Sequence, residues 1–268
     1  MTGRSAESNF TEAPSQTLGR VLTVLETIVA LGPSATLADV AAQAGLPKPT
    51  VHRFLAGLSR RGYVRRDEHG TYSPGPRTFA LANTAQSRCD YALVARPALA
   101  NLRTHTVDTI HVALRDGDQA VYITKLEAQR RIQCASKVGA HLDLHSTAMG
   151  KAILAALAKT DREALLARLS LVAHTTHTLR TLPALRHDLD LVAAQGFAVD
   201  NEENEDSVRC IAAAFRDQSR SVVGAVSISG PTFFLTPKAA IALGPSVAEA
   251  AAAISEALGC PAASANAV

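Results

Sequence analysis

The stretch that decides the fold runs from Leu37 to Val64, LADVAAQAGLPKPTVHRFLAGLSRRGYV. With Leu37 counted as position one, Ala41 falls at position five, where two helix axes approach and only a small side chain fits. Gly45 falls at position nine, in a turn that needs a positive φ. Val51 at fifteen and Phe54 at eighteen then fill the core beneath. Four separate steric requirements are met at once, and together they specify a helix-turn-helix. Thr36 with Asp39 three residues on is a variant capping box that opens the first short helix. Lys48-Pro49-Thr50 opens the second, its proline in a first turn where no intrahelical donor is lost. That second helix should bury Val51, Phe54, Leu55 and Leu58.

Upstream, Leu18, Val21, Leu22, Leu25, Ile28 and Val29 recur at helical spacing as one apolar stripe, ended by Gly32-Pro33. Downstream, Gly62–Arg66 and Gly70–Ser73 form two short strands across a turn at Glu68-His69-Gly70, a wing. In a winged helix the second helix of the motif enters the major groove, so Thr50, His52 and Arg53 are the candidates for base-edge contact. Lys48, Arg60, Arg61, Arg65 and Arg66 are placed for phosphate, which positions a protein without reading sequence. No acidic residue occurs between Val40 and Arg66. A charge run taken alone is a solvated surface; the helix-turn-helix spacing is what turns this one toward duplex DNA.

The 268 residues amount to roughly two domains at about 100–200 residues each. With 47% hydrophobic and 19% charged residues the chain is neither disordered nor fibrous. The net charge is only +3, but the acids Asp200, Glu202, Glu203, Glu205 and Asp206 stand opposite in character to the basic first third. Aromatics at 4% and no Trp argue against a stacking platform for single strands. Mean hydropathy is +0.08, yet Glu26 interrupts 21–31 and Lys238, Glu249 and Glu256 punctuate 236–258, so no stretch spans a bilayer. The first sixteen residues carry Glu7 and Glu12 and no apolar core, so they are expected to form a disordered tail, not a signal peptide, on a cytoplasmic protein. Cys89, Cys134, Cys210 and Cys260 lie too far apart for a zinc motif or a disulfide framework and are expected to be reduced thiols.

From Pro76 to Asn101 the pattern of Phe79, Leu81, Leu93, Val94 and Leu99 is helical. Strands are predicted at 109–115, 120–126 and 131–136, then at 197–201, 208–215 and 222–229. Helices are predicted at 148–158, 161–169, 183–195 and 236–258, which makes an α+β domain around an antiparallel sheet. Strand alternation puts Val222, Val226 and Ile228 on one side and Val223, Ala225, Ser227 and Ser229 on the other. Cys210 is in line with Ala212 and Ala214. Such a face of small and hydroxylic residues either leaves room for a small polar ligand or accepts a closely packed helix. The run His145–Lys151 precedes an apolar helix whose first N–H groups suit an anion. It is no Walker loop, since His145 stands where a glycine is needed and Ala152 where Ser or Thr would be.

From Leu18 to about Gly259, through the Leu37–Val64 run, the wing, the His145–Lys151 loop and the runs Asp200–Glu203, Val208–Ala212 and Ser227–Pro231, the chain resembles the IclR family of bacterial transcriptional regulators. The resemblance implies two domains: a winged helix at 17–76, a linker helix at 77–88, and a GAF-like α+β effector-binding domain at 89–260, with a second tail at 261–268. It implies homodimers or dimers of dimers on near-palindromic operator DNA. It also implies a small organic acid held by Ala148, Met149, Asp200, Cys210, Ser227 and Ser229, without metal or other cofactor. Ala148 and Met149 stand where some relatives carry Gly and Ala, so the roof is bulkier. A two-carbon acid such as glyoxylate and a larger, partly apolar carboxylate both remain open.

Three rival readings are weaker. A cysteine enzyme built on Cys210 lacks any local signature, and Ser227 lacks the glycine two residues before it. A metal sensor could use His141-x-Asp143-x-His145 with His174-x-x-His177, but histidine spacing without a supporting cluster more often marks caps and exposed residues. A nucleoid protein without a ligand leaves about one domain of the chain unexplained.

Overall fold

The computed structural model describes residues 16–87, 89–131 and 135–261. The chain divides into two compact units, 1–89 and 90–268. The expected tails fall outside the described residues, Gln16 and Pro261 excepted.

The first unit contains α1 (Gln16–Leu31), α2 (Leu37–Ala44), α3 (Lys48–Arg60), β1 (Val64–Arg66), β2 (Tyr72–Pro74) and α4 (Pro76–Ser87). The capping box at the start of α2 is complete: Asp39 N–H donates to Thr36 Oγ1 at 3.2 Å and Thr36 N–H to Asp39 Oδ2 at 2.9 Å. Gly45 ends α2 in the left-handed region, φ 63°, and Leu46 N–H closes the turn on the Ala41 carbonyl. Val40, Val51 and Leu55 are fully buried with Val24 and Ile28, around Ala41, Phe54 and Leu58. The wing pairs Val64 with Pro74 and Arg66 with Tyr72, and Tyr72 also bridges Ala35, which ties the hairpin to the loop before α2.

The single stripe expected on α1 divides in two. Val24, Thr27 and Ile28 are buried, whereas Leu18 and Val29 are 56% and 50% exposed and Leu22 is exposed with them. At 100° per residue the 18/22/29 line is roughly 100° around the helix from the 21/24/28 line, so one core cannot cover both.

The second unit contains α5 (Tyr91–Arg103), β3 (Thr109–Asp116), β4 (Gln119–Leu126), β5 (His141–Asp143), α6 (Ala148–Ala156), α7 (Lys159–Leu166), α8 (Leu182–Gln195), β6 (Ala198–Asn201), β7 (Val208–Arg216), β8 (Val222–Pro231) and α9 (Pro237–Ala257). Its six strands form one antiparallel sheet in the order β5-β4-β3-β8-β7-β6. One face packs Ile110, Val112, Phe215, Val226 and Ile228 against Leu99, Leu102, Val247 and Ile254 of α5 and α9. The other packs Ala113, Ala212 and Ala225 against Ile153, Leu154, Leu165, Leu185 and Leu189 of α6, α7 and α8. Gly150 shows how tightly the chain turns from β5 into α6: a Cβ there would stand 2.3 Å from Leu144 Cα.

Four expectations change. The helical pattern over 76–101 is two helices, because Asp90 caps α5 by accepting from Leu93 N–H at 3.0 Å. The strand expected at 131–136 includes 132–134, outside the described residues, and the flanking Arg131, Ala135 and Ser136 are not strand. Strand β5 at 141–143 is instead the sixth strand, three residues being too short to show a period. Val222 does not share a face with Val226 and Ile228, since a register irregularity between Phe215 and Arg216 turns it to the side of Ala225 and Val223 to the other.

Thr36→Ala removes the side-chain half of the capping box and should lower the unfolding free energy of the first unit by about 0.5–2 kcal/mol, measured by urea denaturation. An unchanged midpoint would show that α2 does not depend on this cap.

Candidate functional site

On the first unit, Lys48, His52, Arg53 and Arg60 on α3, Arg61 just after it, and Arg65 and Arg66 on β1 are all exposed, while Thr50 is half-buried. Val51, Phe54, Leu55 and Leu58 face the core, so the helix turns its remaining sides outward with no acid among them. The Arg53 guanidinium lies 5.5 Å from the centre of the Phe54 ring, and Arg66 lies 5.7 Å from that of Tyr72. Both arginines are therefore braced on aromatic rims while their charge remains accessible.

On the second unit, strand register brings the site together. Asp200 on β6 pairs with Cys210 on β7, Cys210 with Ser229 on β8, and Ser229 with Thr109 on β3. Two residues along, Ala212 pairs with Ser227, and Ser227 with His111. These residues alternate onto one face, and the N-terminus of α6 stands over it. Between them lies a cavity of about 530 Å³ lined by Ala148, Met149, Asp200, Cys210, Ser227 and Ser229, so all six predicted residues meet there. Both readings of the small-residue face hold in different places: Ala212 and Ala225 accept α6, while Cys210, Ser227 and Ser229 open onto the cavity. A larger groove beside α9 is lined by five alanines together with Arg216, Arg220, Ser255 and Glu256, and contains none of the six predicted residues.

Thr147 caps α6, accepting from Gly150 N–H at 3.0 Å and donating to the Asp143 carbonyl at 2.6 Å. The N–H groups of Ala148 and Met149, in the first turn, have no acceptor within the helix. Asp200 is buried, with Oδ1 accepting from the N–H of Glu203 at 2.7 Å and of Asn204 at 3.4 Å. Burial, reinforced by the charge of Glu203, pushes its pKa up to about 7.

Sequence reasoning missed two features. His111 is buried, its Nε2 2.7 Å from Ser136 Oγ and its Nδ1 3.4 Å from Ser229 Oγ. Burial, and then the charge of Lys125, lower its pKa to about 3, so the ring is neutral. Its alternation with Thr109 in a predicted strand was the available signal. Lys151 is fully buried, with Nζ 2.6 Å from Glu203 Oε1 and 3.0 Å from Asp188 Oδ2. Burial opposes its charge, but Glu203 and Asp188 outweigh that and hold its pKa above the ordinary lysine value. No local pattern announces this triad, because its partners are distant in sequence.

Three of the four histidines considered for a metal are otherwise engaged. His174 Nε2 lies 2.9 Å from Asp143 Oδ2, His145 Nε2 2.9 Å from the Val172 carbonyl, and His141 Nε2 3.4 Å from Asp116 Oδ2. Among the described residues no group of three or more His, Cys, Asp or Glu is placed to hold a metal ion. Nor is any helix there long and apolar enough to cross a membrane. Cys89 and Cys260 are free thiols, Cys210 lies on β7 at the cavity, and Cys134 lies outside the described residues.

Residues 17–68 match the model of the IclR helix-turn-helix domain, and residues 83–256 that of the bacterial transcriptional regulator IclR C-terminal domain. The chain belongs to the IclR family. It is 32% identical over 246 residues to the HTH-type transcriptional repressor AllR of Klebsiella pneumoniae, covering 91% of this chain and 90% of that one. Among solved structures it is similar to the Agobacterium tumefaciens repressor BlcR, with a TM-score of 0.74 at 26% identity over 93% of this chain and 99% of that one. It is also similar to the Thermotoga maritima IclR, with a TM-score of 0.61 at 29% identity over 91% and 98%. The protein is thus an IclR-type DNA-binding transcriptional regulator with a helix-turn-helix domain and an effector-binding domain, and no match supports a cysteine- or metal-dependent enzyme.

Lys151→Met leaves Glu203 and Asp188 without their cation. Breaking a buried pair in this way should cost about 3–5 kcal/mol, read as an earlier urea transition of the second unit. A loss under about 1 kcal/mol would mean that the triad is dispensable to the fold.

Proposed function

We propose that this regulator is a repressor that binds a near-palindromic operator as a homodimer or dimer of dimers, and that a small organic acid in the second unit controls its occupancy of DNA. In this proposal the winged helix spans 17–76, the linker helix 77–88, corresponding to α4, and the effector domain 89–260. The observation that carries the effector reading is the meeting of Ala148, Met149, Asp200, Cys210, Ser227 and Ser229 around one cavity at a helix N-terminus. The exposed Lys48, His52, Arg53, Arg60, Arg61, Arg65 and Arg66 and the half-buried Thr50 support the DNA reading, with Thr50, His52 and Arg53 in the major groove and the others on phosphate. Similarity to the repressors AllR and BlcR supports repression. The apolar Leu18, Leu22, Val29, Phe79 and Leu81, left exposed on the first unit, support burial against a second copy.

Arg53→Ala should weaken operator binding by about 1–3 kcal/mol with little change on random DNA, measured by fluorescence anisotropy at fixed salt. An equal loss on both would reassign Arg53 to phosphate contact.

A thermal-shift screen against small, sugar and aromatic acids tests the cavity. An effector at about 100 times its Kd should add about 2.7 kcal/mol, a shift of several degrees. Ser227→Ala with Ser229→Ala should abolish that shift and the release of DNA while leaving DNA affinity intact. Survival of ligand affinity in the double variant would sink the cavity assignment.

A further inference from the structure

The charges around the cavity are one-sided. Among the described residues that line it, the acids are Asp143, Asp200 and Glu205, and none is Lys or Arg. The histidines do not reverse this: buried His111 is neutral, while His174 and His141 hydrogen-bond Asp143 and Asp116. Two lysines act on the lining groups, and both are already engaged. Lys151 on α6 lies between Glu203 and Asp188 of α8, and Lys125 on β4 donates to the Ser136 carbonyl and pairs with Glu127. Besides Lys151, Asp200 is faced by Cys210 on β7 and by Glu203 and Glu205 in the loop that follows it.

An acid entering this cavity finds helix N–H groups and hydroxyls, but it meets the Asp200 carboxyl with no cation between them. Two carboxylates side by side in a buried site cannot both stay ionised. A single shared proton turns their repulsion into a short O–H···O hydrogen bond. We propose that the cavity binds a monocarboxylate together with one proton, held between the ligand carboxylate and Asp200, and that it rejects dicarboxylates. Asp200 Oδ1 is engaged by two backbone N–H groups, which puts the proton on Oδ2. The balance is simple: ligand anion plus one proton from solvent give the bound pair, and no bond other than O–H is made or broken. A second carboxylate on the ligand would meet Glu205, or Asp143 already hydrogen-bonded to His174, and no Lys or Arg of the lining. The raised pKa of Asp200, about 7, means the proton is half in place at neutral pH before a ligand arrives.

This inference rests on the effector reading above, and the experiment separates the two. The full-length protein is titrated by calorimetry with glyoxylate, pyruvate and benzoate, and with oxalate and succinate, from about pH 5.5 to 9, in phosphate and in Tris. A monoacid that binds should show constant affinity below about pH 6 and a tenfold loss per unit above about pH 7.5. The buffer dependence of the heat should report uptake of about one proton per ligand at the alkaline end. Diacids should bind at least about tenfold more weakly, by their second charge. Asp200→Asn, whose amide can donate where the proton sat, should bind the same monoacid with no dependence on pH. Monoacid binding to the wild type with flat affinity and no proton uptake would overturn the proposal while leaving the effector reading intact, and it needs no variant to fold. Persistence of the slope in Asp200→Asn, or tighter binding of diacids, would overturn it as well. No binding of any of these acids to either protein at any pH would sink the effector reading, and the proposal with it.

Discussion

One buried ammonium group holds the second unit's functional end together. Lys151 leaves the first turns of α6 and reaches Glu203, in the loop after β6, and Asp188, on α8. Three chain segments thereby share one charge, and each is also fixed by something else. Glu203 gives its N–H to Asp200 and accepts at its carbonyl from Thr175 and Thr178. Asn204 accepts from Ser146 at the start of the α6 loop. Burial alone would lower the pKa of Lys151, and Glu203 and Asp188 outweigh it, so the pairing makes the roof of the cavity a defined surface.

The floor depends on register. Asp200, Cys210, Ser229, Ser227 and His111 come from four strands that are scattered in sequence, and they meet because every pairing among them is antiparallel and in step. A slip of one residue in any pair would turn its members to the hydrophobic layer under α9. The irregularity between Phe215 and Arg216 exchanges the faces of Val222 and Val223 in this way, but it falls at the far end of β7, away from the cavity. Gly150 plays the matching part in the roof, since the loop can turn this tightly into α6 only where no Cβ would strike the Leu144 backbone.

What the sequence discloses follows from the range of the forces involved. The helix-turn-helix is written in residues at most eighteen positions apart, and Thr36, Ala41, Gly45 and Val51 each answer to a local steric demand, so they were legible. The serines and Cys210 could be placed on a face by alternation, but their meeting with Asp200 came from family resemblance, because alternation does not say which strands are neighbours. Lys151 reads in sequence only as the end of the His145–Lys151 run: Glu203 lies 52 residues away, and nothing near Lys151 predicts it. The α1 stripe failed for a different reason. Apolar spacing marks every face that avoids water, whether a core or a partner covers it, so Leu18, Leu22 and Val29 could not be told from Val24 and Ile28.

A ligand in one unit can govern DNA binding by the other only through a difference in its affinity for two states of the molecule. Whatever factor the effector takes from operator affinity, the operator takes from effector affinity, so the two sites report on each other. This constrains which cavity features can signal. Hydroxyls and helix N–H groups that hold the acid equally in both states raise affinity without moving the equilibrium. The parts able to signal are those whose energy changes sharply with a small displacement, and in this cavity these are the charged ones. If the loop after β6, carrying Glu203 and Asn204, shifts against α6, the Lys151–Glu203 pair and the environment of Asp200 at the end of β6 change together, because Glu203 belongs to both. The ammonium that fixes the roof is therefore also the element through which a bound acid can be felt elsewhere in the unit.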